Sequence, residues 1–314
     1  MIREMPGIEL SSVRKSFGAT EALRGVSFRV APGETYGLLG PNGAGKTTAI
    51  NILCGLIRPD SGTAKLSGQD VGAGSVDPRR SLGVVPQEPA LYMEMSARQN
   101  LAFFGRLYGL RGTALREAID RALARVDLAG RADEPIERFS GGMVRRLNIA
   151  AGVVHGPRVV LMDEPTVGLD PQTRLSILDL VRGIASDGAA VLYTTHYLDE
   201  AERLCDRVGI IDHGTLLAEG TLDELRRAAG AQDIVVFRGV FKAVGDVPAL
   251  AGVGEADLVS RSESELLFTV HGAEGRITPL LVVAQALGEV REVAIKQPSL
   301  ENLFIKLTGR ELRE

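Results

Sequence analysis

Cysteine is scarce in this 314-residue chain: Cys54 and Cys205 are the only two. Two thiols with no metal-type partner spacing exclude a disulfide scaffold and a metal site built on cysteine. Both lie among apolar neighbours, in "NILCGL" and "AERLCDRV", so they read as reduced thiols packed inside a cytoplasmic protein. Positive charge is not in excess either. The formal net charge is −4, which leaves no overall basic footprint, and no nucleic-acid partner is expected. Arginine pairs such as Arg79–Arg80, Arg145–Arg146 and Arg226–Arg227 read as solvated helix faces. Long apolar runs are missing too. No window approaches the roughly eighteen uninterrupted apolar residues of a membrane span, and "MIREMPGIEL" lacks an apolar stretch of signal-peptide length. The chain is not expected to cross a membrane by itself. There is no internal repeat and no heptad array.

What remains is an ordinary globular composition, 45% hydrophobic and 24% charged, with length enough for two domains. Residues 8–12, 25–30 and 35–39 read as strands, with "APGE" (Ala31 to Glu34) as a hairpin-type turn. A helix follows from the glycine-rich "PNGAGKTT" through about Leu56, then a short strand at "TAKLSG" and another at "SLGVVPQ". From about Glu88 to Pro157 the period becomes helical, with Leu101, Phe104, Tyr108 and Leu110 at helix spacing. Strand–helix alternation resumes with "RVVLMDEP", a helix from about Pro171, and "AAVLYTTH". Such alternation argues for a largely parallel sheet covered on both faces. The composition loosens at "LRRAAGAQD". The tail beyond it reads as strands near 234–238 and 265–270, a helix near 276–287, a strand near 290–296 and a helix from Ser299.

Two segments carry phosphate chemistry. "GPNGAGKT", Gly40 to Thr47, fits G-x-x-x-x-G-K-[ST] between an apolar strand and a helix. Glycines let backbone N–H groups wrap phosphates, Lys46 neutralises the outer oxygens, and the Thr47 hydroxyl suits Mg²⁺. Such a loop needs a carboxylate at the end of a neighbouring strand, and "VVLMDEP" offers Asp163 for the magnesium shell and Glu164 for the attacking water. A second anion site is suggested by "FSGGMVRRL", Phe139 to Leu147, where Ser140, Gly141 and Gly142 open a helix. The phosphate loop upstream is already complete without it.

In order, "GPNGAGKTT", "VVPQ", "FSGGM", "LMDEPTVGLD" and "YTTH" resemble the nucleotide-binding subunit of an ATP-binding cassette (ABC) transporter, over about residues 8 to 222. The resemblance implies an α/β P-loop NTPase (RecA-like) cassette at 1–222, a helical subdomain inserted at about 88–157, and a small α+β accessory domain at 232–314. It implies ATP and Mg²⁺ as ligands. Nucleotide would be held by Phe17 and by Gly40, Pro41, Asn42, Gly43, Ala44, Gly45, Lys46, Thr47 and Thr48. Metal would be held by Thr47, Gln87 and Asp163, and catalysis would fall to Glu164, His196, Gln87 and Lys46. In this family two cassettes pair head to tail, so Ser140, Gly141 and Gly142 would serve the ATP of a second copy. "VGLD", Val167 to Asp170, would let the two sites communicate. A separate integral-membrane permease would be the other partner, placing the chain on the cytoplasmic face of the membrane. The aromatic stripe Phe103, Phe104 and Tyr108 reads as core rather than docking surface, and His155, His213 and His271 match no motif.

Two departures from the family pattern are Phe139 for the usual Leu and Met143 for the usual Gln. "FSGGM" with "RRL", and the ending "QPSLENLFIKLTGREL", resemble the daunorubicin-resistance branch of drug and polysaccharide exporters. An importer subunit or a soluble, non-transport cassette ATPase is the alternative. Against the latter stand the single phosphate loop and the absence of a long coiled coil.

Overall fold

The computed structural model describes residues 5–72, 78–229, 233–241, 256–270, 272–296 and 300–309. They fall into two compact units, Met1–Glu219 and Gly220–Glu314.

The first unit carries β1 (Ile8–Phe17), β2 (Thr20–Val30), β3 (Thr35–Leu39), α1 (Lys46–Leu53), β4 (Ser61–Leu66), β5 (Gln69–Asp70) and β6 (Leu82–Val85). Then come α2 (Ala97–Leu107), α3 (Gly112–Arg125), α4 (Gly141–Val153), β7 (Val159–Asp163), α5 (Pro171–Ser186), β8 (Ala190–Thr195), α6 (Leu198–Leu204), β9 (Arg207–Asp212) and β10 (Thr215–Thr221). One sheet has the order β10-β9-β3-β8-β7-β6, with β6, β7, β8, β3 and β9 parallel. Every residue of β3, β7 and β8 is buried, because the sheet is covered on both faces. This is why their sequences run apolar without alternating. An antiparallel sheet, β2-β1-β4-β5, packs its apolar residues into the same core as α1 and the parallel sheet. Helices α2, α3 and α4 share a second core around Leu101, Ile119, Leu123 and Leu147. A Ser96–Gln99 capping box starts α2, and the Asp170 side chain caps α5 ahead of Pro171.

Several local expectations are corrected. "APGE" is not a hairpin turn, since β2 and β3 belong to different sheets. The hairpin is β1–β2, closing at the Phe17–Thr20 pair. Strand β1 runs five residues past its expected end at Ser12. A bulge there, with Ser12 at φ 48°, separates the buried Leu10 and Val13 by three positions and breaks the two-residue period. Helix α1 stops at Leu53, short of Leu56, because Gly55 turns the chain at φ 70° and leaves Leu56 exposed. Arg145 is no solvated residue: only 4% of it is exposed. Tyr108 is not core but half-exposed, its ring stacked 3.5 Å from that of His155.

The second unit holds α7 (Leu222–Ala229), β11 (Asp233–Phe241), β12 (Ala256–Arg261), β13 (Glu265–Val270), α8 (Ile277–Leu287), β14 (Gly288–Lys296) and α9 (Leu300–Thr308). Its antiparallel sheet, β12-β13-β11-β14, packs Phe237, Phe268 and Val235 against Leu280 and Leu287 of α8. The opposite face sets Ile234, Val236 and Leu267 against Ile305 of α9. Strand β12 escaped the sequence reading because it is an edge strand in which only Ala256 is fully buried. His271, the 230–232 stretch, Gln297, Pro298 and the expected helix start at Ser299 lie outside the described residues. Among the described residues no helix is long and apolar enough to cross a membrane.

Candidate active site

The buried strand β3 delivers the chain into Gly40, whose N–H bonds the Thr195 carbonyl at 3.2 Å. A Cβ on Gly40 would sit 2.2 Å from the Ile211 carbonyl oxygen, so no other residue fits there. The loop turns over through Gly43 at φ 80° and Gly45 at φ 108°, both in the left-handed region that favours glycine. Gly45 is the N-cap of α1 and provides no capping side chain, so the helix start presents backbone N–H groups.

Lys46 opens α1 and is buried, and its Nζ donates to the carbonyls of Gly40 at 2.6 Å and Pro41 at 2.9 Å. The same ammonium pairs with Glu164 Oε1 at 2.9 Å. Glu164 Oε2 lies 2.9 Å from His196 Nδ1, so one carboxylate joins the loop lysine to the histidine after β8. Glu164 itself stands at φ 42°, a costly conformation for a residue with a side chain. Two neighbours hold it there. Its N–H donates to Thr194 Oγ1 at 3.0 Å, and its carbonyl accepts from Arg145 at 3.2 Å. Thr194 also donates to Asp163 Oδ1 at 2.8 Å, which fixes the second acidic side chain.

Arg145 reaches across from α4. Besides Glu164, it donates to the carbonyls of Pro86 at 3.1 Å and Gln87 at 2.6 Å. Burial pulls its guanidinium below the ordinary arginine value, and it stays charged as arginine does in proteins. The residue read as a solvated surface charge is thus the clamp between the Gln87 segment and Glu164.

An open cleft of about 550 Å³ lies over the loop. Of the expected site residues, Asn42, Gly43, Gly45, Lys46, Thr47, Thr48, Gln87 and Glu164 line it. Gly40, Pro41 and Ala44 form the loop beneath, and Asp163 and His196 join through Thr194 and Glu164. Phe17 is not a lining residue. It is exposed at the end of β1, beside the lining segment Thr20–Ala22, with Lys15 Nζ 5.6 Å from its ring centre. Ser140, Gly141 and Gly142 do not line the cleft either. They start α4, where Ser140 Oγ accepts from the Met143 N–H and Gly141 has open space around it. The two unusual residues there share one neighbour: Arg131 stacks over the Phe139 ring at 5.3 Å and donates to Met143 Sδ at 3.3 Å.

Sequence reasoning missed Thr20, Glu21, Arg24 and His213 on the rim, which belong to no motif. His213 takes φ 45° in the turn joining β9 to β10. Gly214 beside it bonds the Ala44 carbonyl at 3.0 Å, which braces the phosphate loop from outside. The doublet "HG" between two apolar strands was the available signal for that turn.

Among the described residues no three His, Cys, Asp or Glu side chains gather into a metal cluster. Of the residues expected to hold metal, Thr47 and Gln87 line the cleft and Asp163 is held beside Glu164 by Thr194, and all three offer oxygen. That set suits a hard divalent cation that completes its shell with phosphate oxygens and water.

A family profile described as "ABC transporter" matches residues 23–167. The linearmycin resistance ATP-binding protein of Bacillus subtilis (strain 168) is 39% identical over 312 residues, covering 98% of this chain and 100% of that protein. A daunorubicin resistance ATP-binding protein of Streptomyces coeruleorubidus is 39% identical over 310 residues, covering 98% of this chain and 97% of its own length. A solved ATP-binding subunit of an ABC transporter superposes with a TM-score of 0.65 at 32% identity, covering 71% of this chain and 93% of its own.

Proposed function

The chain belongs to the ATP-binding subunits of ABC transporters, and from that premise we propose that it hydrolyses MgATP as a head-to-tail homodimer to drive a separate export permease. The observation that carries the reading is the chain of contacts from Lys46 through Glu164 to His196, of which Lys46 and Glu164 are buried and line the cleft. Lys46 holds the outer phosphate oxygens of ATP, and the glycine loop's N–H groups hold the rest. Phe17 offers a ring face for the base, which needs no hydrogen-bond code. Thr47, Gln87 and Asp163 would hold Mg²⁺, which neutralises charge on the phosphate oxygens. Glu164 orients and polarises the attacking water, and His196 keeps that carboxylate turned toward the phosphate. The partner subunit's Ser140 completes the charge stabilisation, which accounts for a serine and two glycines set apart from this chain's own cleft. Closing the dimer on ATP and reopening it after hydrolysis would move the permease between its two faces.

We assign the cassette to about residues 1–222, the permease-receiving helices to about 88–157, and an accessory domain to 232–314. The exporter branch is supported by relatives that match through the tail as well, 98% of the chain, whereas the solved subunit covers 71%. The two relatives are named for linearmycin resistance and daunorubicin resistance, so of a drug-like, lipid or polysaccharide cargo the drug-like one is proposed, and the subunit would sit on the cytoplasmic face of the membrane.

The test is purification of tagged Glu164→Gln from detergent-solubilised native membranes with MgATP, followed by mass spectrometry. A stoichiometric multi-span membrane protein is the expected companion. Ribosomal proteins or nucleic acid without one would overturn the exporter reading.

A further inference from the structure

Glu200 belongs to no motif, yet it is 0% exposed. It lies in the first turn of α6, and three hydroxyl groups converge on its carboxylate. Thr166 Oγ1 donates to Oε1 at 2.5 Å, while Thr195 Oγ1 and the Tyr193 hydroxyl donate to Oε2 at 2.7 and 3.0 Å. Arg174 Nε of α5 stands 3.6 Å from Oε1. Burial pushes the Tyr193 phenol well above its ordinary value, so it remains a hydroxyl and a donor.

These partners come from both sides of the proposed catalytic centre. Thr166 opens the Val167–Asp170 loop, two residues after Glu164. Thr195 precedes His196, and its Oγ1 also accepts the Tyr197 N–H at 2.9 Å. The arrangement closes on the outside as well. The Arg174 guanidinium lies 4.3 Å over the Tyr197 ring, whose centre is 4.2 Å from the His196 ring. Each hydroxyl has a single hydrogen to give, and three are given to one side chain. Only an acceptor-only group takes all of them, and a glutamine would set its NH₂ hydrogens against at least one donor.

We infer that Glu200 is a positioning residue for hydrolysis: a buried joint that ties the Val167–Asp170 loop to the His196 loop, so that the two move as one. It touches neither the cleft nor any group assigned to ATP, so it acts on turnover rather than on nucleotide binding. If Val167–Asp170 faces a second copy, the joint carries that copy's state to His196.

The inference rests on the roles proposed for His196 and the loop. The test compares Glu200→Gln, Thr166→Val and the double variant with His196→Ala. It reads melting temperature, kcat and KM for ATP, and the steepness of rate against ATP concentration. Thr166→Val removes one hydroxyl at constant shape, so it reports even if Glu200→Gln fails to fold. Each folded single variant is expected to lose about tenfold in kcat with KM held within about twofold. The double variant should be no slower than the worse single, because both break one joint. The steepness should fall toward unity. Singles with wild-type kcat, losses that multiply in the double variant, or a raised KM at unchanged kcat would overturn the inference. If His196→Ala loses turnover while these variants keep it, this inference alone fails. Full turnover by His196→Ala overturns both it and the reading of the site.

Discussion

Arg145→Ala gives the sharpest check on how the site is held. The wild-type guanidinium donates to three carbonyls, those of Pro86, Gln87 and Glu164, from a position only 4% exposed. A hydrogen bond from a charged donor contributes about 1.5–3 kcal/mol, and a buried acceptor left alone costs about 1–3 kcal/mol. The three do not simply add. The Gln87 segment is exposed and water can replace the lost donor there, whereas the Glu164 carbonyl is buried with its residue. Alanine also relieves the desolvation of a buried cation, which offsets part of the loss. The net expectation is about 2–4 kcal/mol. For a unit of this size that corresponds to a fall in Tm of roughly 4–16 °C, at about 2–4 °C per kcal/mol. Turnover should fall as well, because Glu164 at φ 42° loses one of its two backbone anchors. Arg145→Lys should lie between, since one ammonium cannot reproduce the planar fork. Thermal melts with steady-state ATPase rates decide it. A Tm within about 1 °C of wild type with unchanged turnover would refute the clamp.

Burial lowers the His155 pKa to about 4, so the folded protein resists a proton that the unfolded chain accepts from about pH 6.5 downward. Stability should therefore drain away between those values, by about 1–2 kcal/mol once solvent screening at this partly exposed ring is allowed for. Denaturant titrations across that range should show the slope, and His155→Phe should flatten it. Burial raises both thiols, Cys54 to about 11 and Cys205 further still. Iodoacetamide at pH 8 should then label neither in the folded protein and both after unfolding, as mass spectrometry would record.

The parallel sheet, the phosphate loop and the acidic pair were legible because each rests on a local pattern: an apolar run, a glycine spacing, a strand ending in Asp163–Glu164. What was not legible depends on residues brought together from afar. Arg145 looked like half of a surface arginine pair, and nothing nearby in sequence announces that its donors face Pro86 and Gln87. Glu200 and Thr166 are 34 positions apart and meet only because α6 packs under the end of β8. The bulge at Ser12 shifts the alternation of β1, so only its first half shows in the pattern, and the edge strand β12 buries too little to write one. Phe17 and the Ser140–Gly142 helix start take their expected roles from the resemblance, and neither lines this chain's cleft.

Glu164, held between Lys46 and His196, is the group proposed to activate water for attack on ATP. Its most direct test is the single-turnover hydrolysis rate of purified Glu164→Gln with saturating MgATP, measured beside nucleotide binding and sedimentation. Retained ATP binding, a rate lower by about 10²-fold or more, and an ATP-dependent shift from monomer to dimer are expected. A variant that hydrolyses ATP at the wild-type rate would contradict that role and remove Glu164 from the mechanism.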